Sequence, residues 1–405
     1  MSTLSEKMAK RRMSGVRNSD DARRVARSQL PQAIFDYVDG GAEDEVTLGW
    51  NTQAFRDLAF EPRGGTWIAN PILRTKVLGL DLSMPVLTAP CGGMRLVHPD
   101  GDIGIAAAAS KAGIAHVATS ASGFSLEEIA QTPGPQWFQA YRFSNQEAMK
   151  TLIHRAKAAG FEGLVATIDT SVAGNREKDF RNGFSYNMRI NLANVVKMAP
   201  KMASRPGWVY RFMRDGMPFQ LPNTADLTVD GKPMELTEMT RVGKDSHSPS
   251  WEDIAWMRTN WDGPLIVKGI LNVADAERAR HIGVDGIIVS NHGGRQLDGA
   301  PATISVLPKI AEAVGDDVVV MLDSGIRRGS DVVKALSLGA KAVLIGRQPA
   351  WGLAIAGESG VSHTLEILRT EMIRTMRLLG CPSVDHLDPT WVAERPLGRA
   401  VAARQ

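Results

Sequence analysis

Along this chain, short apolar runs stop abruptly at a polar residue or a glycine and give way to stretches with helical spacing. Eight such runs recur: "PVLTAP" near 85–90, "AHVATS" near 115–120, "WFQAY" at 137–141, "GLVATIDT" at 163–170, "PLIVKG" at 264–269, "GIIVSN" at 286–291, "VVVMLDSG" at 318–325 and "AVLIGR" at 342–347. Their length and β-branched content are those of buried strands. Between them lie segments such as "DGDIGIAAAASKAG", "SNQEAMKTLIHRAKAAG", "NVADAERARHIG" and "GSDVVKALSLGA", each finishing near glycine as helix C-termini often do. Strand and helix alternating with short connections imply parallel strands. Eight is the number that closes a (β/α)8 TIM barrel. A doubly wound open sheet shares the alternation, and the period alone does not prove closure.

Two parts stand outside the repeat. Residues 1–84 contain "LPQAIFDYVDGGAEDEVTLGWNTQAF", which predicts a helix, a break at Gly40 and Gly41, and a second helix rich in acids at its start. This N-terminal extension is expected to cap a barrel spanning 85–380, with a C-terminal tail over 381–405. The connection after strand four, residues 171–263, is far longer than the others, and structureless connections of that length are usually functional. Within it, segment 186–219 carries Arg189, Lys197, Lys201, Arg205, Arg211 and Arg214, with no acid from 189 to 214, interleaved with apolar and aromatic residues. A basic amphipathic stretch suits an anionic membrane surface. A flap over the active site or a subunit contact fits the same composition.

Composition narrows the class. A formal charge of +3, 22% charged and 43% hydrophobic residues describe an ordinary globular protein and make no case for nucleic acid. The two cysteines, Cys91 and Cys381, have neither disulfide-framework nor metal-ligand spacing, so no metal is expected and a reducing, cytoplasmic setting fits. The first residues carry charges throughout with no apolar core of a secretory signal. No run approaches the ~18 apolar residues of a membrane span. The expected location is cytoplasmic, with peripheral attachment to the inner face of the cytoplasmic membrane if the basic segment docks.

A barrel places its chemistry at the carboxyl ends of the strands, with phosphate often held after strands seven and eight. Those ends supply Pro90, Cys91 and Gly92; Thr119 and Ser120; Gln139 and Tyr141; Thr167 and Asp169; Lys268; Ser290 and His292; Asp323 and Gly325; and Gly346 with Arg347. A core alone has little use for so many polar groups at equivalent places. In "IIVSNHGGRQLDGAP" an apolar strand ends at Ser290, and His292, two glycines, Arg295 and Asp298 follow at once. Imidazole as a group titrates near working pH, which makes His292 a candidate base. The planar fork of Arg295 suits a carboxylate. "DSGIRRGS" and the "GR" after strand eight offer glycine amides with Arg327 and Arg347 for a phosphate.

The stretch "SNHGGRQLDGAP" resembles the signature of the FMN-dependent family that oxidises 2-hydroxy acids. The likeness runs from about Leu30 to Leu379 through "FDYVDGGAEDE", "WFQAY", "TIDT", "VKGI" and "DSGIRRGSDVVKALSLGA". "NREKDFRNGF", "RPGWVYRFMRDGMP" and "DSGIRRGSD" look like the membrane-associated mandelate dehydrogenase branch. The resemblance implies FMN, with His292 as base, Asp169 as its partner, Arg295, Tyr37 and Arg176 around the substrate carboxylate, and Tyr141 on the reacting hydroxyl. It also implies that Lys268 faces the flavin N1 and O2 edge, that Gln139, Thr167 and either Thr119 or Ser120 meet the flavin, and that Asp323 bonds the ribityl chain. Gly92 resembles the mandelate dehydrogenase and lactate monooxygenase pattern, Ser324 marks the mandelate-like branch, and Cys91 departs from the family's usual threonine or isoleucine.

The expected activity is oxidation of an L- or (S)-2-hydroxy acid, mandelate- or lactate-like, to the 2-oxo acid, with electrons passing to a quinone or similar carrier. Carbanion formation and hydride transfer both fit. The family is often tetrameric. Competing readings are an oxygen-using oxidase or monooxygenase, a non-catalytic flavin-binding or membrane-surface protein, and another FMN barrel such as a dimethylallyl isomerase, which would have no reason to pair His292 with Arg295.

Overall fold

The computed structural model describes residues 4–141, 146–182, 204–217, 220–227, 234–235 and 248–394. Eight parallel strands close into a barrel: β1 (Val86–Thr88), β2 (Ala115–Thr119), β3 (Gln136–Ala140), β4 (Gly163–Thr167), β5 (Leu265–Ile270), β6 (Gly286–Val289), β7 (Val319–Leu322) and β8 (Ala342–Ile345). Each strand pairs with its neighbours in sequence, and β8 pairs with β1, so the open-sheet alternative is excluded. Each of the eight apolar runs forms one of these strands.

Strand alternation sorts the side chains. One set packs outward against the helices. The other, including Leu87, Val117, Trp137, Val165, Ile266, Ile288, Met321 and Leu344, fills the barrel interior as a buried apolar layer. Trp137 fits because β4 begins with Gly163, where a Cβ would lie 2.6 Å from its indole. Two residues further toward the carboxyl ends, the same inward positions are Ala89, Thr119, Gln139, Thr167, Lys268, Ser290, Asp323 and Gly346. The interior therefore changes from apolar to polar within one step of the pleat, and the site lies on that boundary.

The chain before β1 closes both ends of the barrel. A hairpin, Thr75–Val77 paired with Leu80–Leu82, places Val77, Leu80 and Leu82 in the interior apolar layer. Helices α1 (Leu4–Ser14), α2 (Ser19–Gln29), α3 (Gln32–Asp39) and α4 (Val46–Arg56) precede it. The acids Glu43, Asp44 and Glu45 stand ahead of α4 rather than in its first turn, and Glu45 is left-handed at φ 62°. Asp298 instead accepts hydrogen bonds from the Val46 and Thr47 amides at 3.2 and 2.8 Å. That capping role is what the aspartate of the His292 segment does here.

After β8 a long helix, Arg347–Leu379, breaks at Ala356 and Gly357, the latter at φ 59°. Residues 381–394 return to the body: Val392–Glu394 pairs with Leu58–Phe60, and Cys381 and Trp391 are buried. Among the described residues no helix is long and apolar enough to cross a membrane.

Of the basic segment 186–219, residues 186–203 and 218–219 lie outside the described residues. The remainder forms a helix, Pro206–Arg214, started by proline at its first position. Trp208 and Phe212 stack at 4.7 Å on its inner side, and the Trp208 indole N–H donates to Leu96 O at 2.9 Å. Tyr210, Met213, Arg214 and Met217 are exposed.

Candidate active site

The inward polar row forms two connected groups, one on β2–β4 and one on β5–β7. Thr119 Oγ1 donates to Gln139 Oε1 at 2.7 Å, and Gln139 Nε2 donates to Thr167 Oγ1 at 3.0 Å. Lys268 Nζ donates to Ser290 Oγ at 2.8 Å and pairs with Asp323 at 3.1 Å. Burial opposes the Lys268 charge, but Asp323 and Asp169 outweigh it and raise its pKa above the ordinary lysine value. Ser120 points elsewhere, with its hydroxyl 3.5 Å from the Tyr141 amide, so Thr119 is the member of the row.

The loop after β6 is contorted. His292, Gly293 and Gly294 are successively left-handed, at φ 57°, 69° and 71°. A non-glycine in that region is costly and tends to persist where surroundings enforce it. His292 Nδ1 meets Asp169 Oδ1 at 3.0 Å, which assigns the Nδ1–H tautomer and leaves Nε2 as the acceptor. Asp169 comes this close to β5 because Gly269, at φ 109°, has no Cβ; one would lie 2.8 Å from the Asp169 Cβ. Burial pushes the Asp169 carboxyl upward, yet the charges of His292 and Lys268 and the His292 hydrogen bond hold it below the usual carboxylate range.

Beside this pair lie the residues expected to hold a carboxylate. The Arg295 guanidinium stands 5.4 Å from the Tyr37 ring centre, and Tyr37 OH donates to Gly92 O at 3.0 Å. Arg176 Nε donates to Asp179 Oδ2 at 2.9 Å, and both Arg176 and Arg295 act electrostatically on that aspartate. Tyr141 is half-buried just past β3.

Three arginines crowd the ends of β6, β7 and β8. Burial, then the charges of Arg327 and Arg295, pull Arg347 down to about 9, and burial lowers Arg327 as well. Cations packed against cations and withdrawn from water call for an anion. Backbone leaves room for one: Gly325 is left-handed at φ 91°, and Gly346 precedes the long helix at its N-terminus. A Cβ on Gly346 would lie 3.1 Å from Cys91 Sγ, and burial pushes the Cys91 thiol up to about 11, so it stays protonated. Pro90 and Gly92 flank it, with Gly92 packed on Ala121. A long polar row ending in an arginine-lined, glycine-rich anion site fits a flavin mononucleotide, with its ring system over the row and its phosphate by Arg347 and Arg327.

A TIM barrel with a histidine–aspartate pair, a polar row and a buried arginine cluster at the carboxyl ends of its strands has the character of a flavin-dependent oxidoreductase. Residues 26–394 match the FMN-dependent dehydrogenase family, and the chain belongs to it. Its cofactor is FMN, and members of this class oxidise 2-hydroxy acids. The chain is 39% identical over 376 residues to (S)-mandelate dehydrogenase of Pseudomonas putida, covering 93% of each. It is also 39% identical to pre-mycofactocin synthase of Mycolicibacterium smegmatis, covering 91% of each. The crystal structure of the monotopic membrane protein (S)-mandelate dehydrogenase superposes with a TM-score of 0.87 at 38% identity, covering 94% of this chain and 99% of that one.

Sequence reasoning singled out Ser324 only as a branch marker and passed over Gln296, and the structure gives both a role at the site. Ser324, at φ 71°, donates to Asp323 Oδ1 at 2.7 Å and accepts from the Gly293 amide at 2.9 Å, so it ties the ends of β6 and β7 together. Gln296 Nε2 donates to the Asp169 and Val172 carbonyls, both at 2.9 Å. Nothing in the spacing marks either. Two other described histidines have local partners: His116 is buried against Thr88 at 2.7 Å and pushed down to about 3 by burial, and His363 contacts Val16 O at 3.0 Å.

Proposed function

We propose that the protein oxidises an (S)-2-hydroxy acid of the mandelate or lactate type to the 2-oxo acid and passes the electrons to a quinone-like carrier. The observation that carries this is the His292–Asp169 contact at 3.0 Å, placed between the polar row and Arg295. Bound FMN supplies the two-electron acceptor. Arg295, with Tyr37 and Arg176, holds the substrate carboxylate, and Tyr141 holds the hydroxyl oxygen. His292 Nε2 takes a proton, from Cα if a carbanion forms or from the hydroxyl if hydride leaves, and the Asp169 carboxylate stabilises the resulting imidazolium. Lys268 places positive charge at the cofactor's pyrimidine edge. In this reading 85–380 is the FMN-binding barrel, 1–84 its cap, 171–263 the insertion and 381–405 the tail.

The direct test is an anaerobic visible spectrum of the yellow protein before and after (S)-mandelate, then L-lactate, then air. Bleaching by one acid is expected, with slow recovery in air. Fast recovery with peroxide release assigns an oxidase instead, and no bleaching by any 2-hydroxy acid removes the proposal.

The exposed side of helix Pro206–Arg214 supports attachment to an anionic membrane; the cytoplasmic side and a homotetramer belong to the same reading and rest on the family likeness alone. Because Trp208 anchors the helix to the body, changes at outward residues leave its packing against the barrel intact. The double variant Tyr210→Ser/Met213→Glu will lose most binding to liposomes containing anionic lipid, while the parent binding weakens with salt. Unchanged co-sedimentation of the variant argues for the flap reading.

A further inference from the structure

Helix α3 ends in an elbow, Asp39–Gly40, whose two carbonyl oxygens face the anion-binding arginines. Gly40 O accepts from Arg295 Nη1 and from Arg347 Nη2, each at 2.9 Å. Asp39 O accepts from Arg347 Nε at 3.1 Å. A carbonyl has two lone pairs, so the Gly40 oxygen is filled by these two guanidinium groups. Outside the elbow, the Asp39 carboxylate receives Arg23 Nε at 2.7 Å and Nη2 at 2.6 Å, a bidentate pair from α2. The Asp39 side chain is 9% exposed and that of Arg23 51%, so the clamp reaches in from the surface.

We propose that the Asp39–Gly40 elbow, clamped by Arg23, is a positioning element that ties the substrate-carboxylate arginine Arg295 to the flavin-phosphate arginine Arg347 through one shared carbonyl. This rests on the proposed roles of those two arginines. The elbow has no slack. A Cβ on Gly40 would lie 2.7 Å from Asp36 O, and one on Gly41 would lie 2.8 Å from Gly294 O, while the Ala42 amide donates to that same Gly294 O at 2.8 Å. The elbow is thereby stitched to the loop that carries His292. Asp39 also supplies negative charge toward Arg327 and Arg347. Held by Arg23, that carboxylate is committed to the clamp; released, it becomes free to compete with the cofactor phosphate for Arg347.

The test is Arg23→Ala in the full-length protein, with Arg23→Lys as the conservative control. Flavin fluorescence on dilution of the holoenzyme, and rebinding of FMN or riboflavin to the released chain, measures the phosphate site. The spectral change on adding oxalate to the holoenzyme measures the carboxylate site. Arg23→Ala is expected to weaken FMN and oxalate binding each by about tenfold, the scale of a hydrogen bond to a charged group, with riboflavin affinity unchanged and Arg23→Lys recovering part of both losses. A fall in melting temperature with both affinities unchanged makes the clamp merely structural and overturns the proposal. Loss of only one affinity overturns the link between the sites. If the parent protein binds riboflavin as tightly as FMN, the phosphate role of Arg347 fails before any variant is made.

Discussion

His292→Ala will retain FMN and reduce its flavin with substrate about 10²- to 10⁴-fold more slowly, the usual contribution of a positioned base. The two consequences separate because the side chain and the backbone of His292 serve different partners. Its imidazole meets Asp169 at 3.0 Å, whereas its backbone amide donates to Ser290 Oγ at 3.1 Å and belongs to the polar row. Alanine keeps the amide and loses the ring. Stopped-flow anaerobic reduction checks the rate, and the visible spectrum of the purified variant checks the flavin. A normal reduction rate would falsify the assignment of His292 as base.

Asp169 sets the pH behaviour of this pair. Its folded-state pKa is lowered, because the charges of His292 and Lys268 overcome the effect of burial. A lowered carboxylate contributes stability that is complete above the unfolded value, near 3.9, and is lost as pH falls through the folded one. The partner of His292 is therefore ionised throughout the neutral range.

How far the sequence could be read depends on whether a feature is local. The strands were legible because each is a short apolar run ending in a polar residue, and their count implied closure. The inward row was legible too, since the ends of β2 to β8 fall at corresponding positions. Thr119 and Ser120 could not be separated from sequence, because register decides which faces inward, and pairing of β2 with β3 sets Thr119 opposite Gln139. The Asp39–Gly40 elbow was invisible for another reason. Its acceptors are backbone oxygens, which carry no residue signature, and their donors lie 255 and 307 positions away. Asp298 shows the opposite error available to motif reading: it sits within the signature, yet its contacts are the first amides of α4.

Lys268→Met will cost the most stability of any single change at the site, about 3–5 kcal/mol at neutral pH. Methionine fills similar space, so the loss is electrostatic rather than a cavity. Lys268 is the cation between two buried carboxylates: it pairs with Asp323 at 3.1 Å and acts on Asp169 through space. Ser324 and His292 remain as partners of those acids, but neither replaces a fixed positive charge. Without it, Asp169 loses one of the charges that hold its carboxyl below the usual range, and its pKa moves upward. The sign then fixes the pH dependence. A carboxylate held below its unfolded pKa contributes stability that is full above that value and lost below it, so the deficit of the variant is complete at neutral pH and shrinks as pH falls through the carboxylate range. Melting temperatures of parent and variant, compared at neutral pH and at about pH 3.9, the unfolded carboxylate value, should therefore converge on acidification. A deficit that stays constant across that interval would mean that Lys268 stabilises the barrel by packing, and that the charge balance among Lys268, Asp169 and Asp323 is not what holds this end of the strands together.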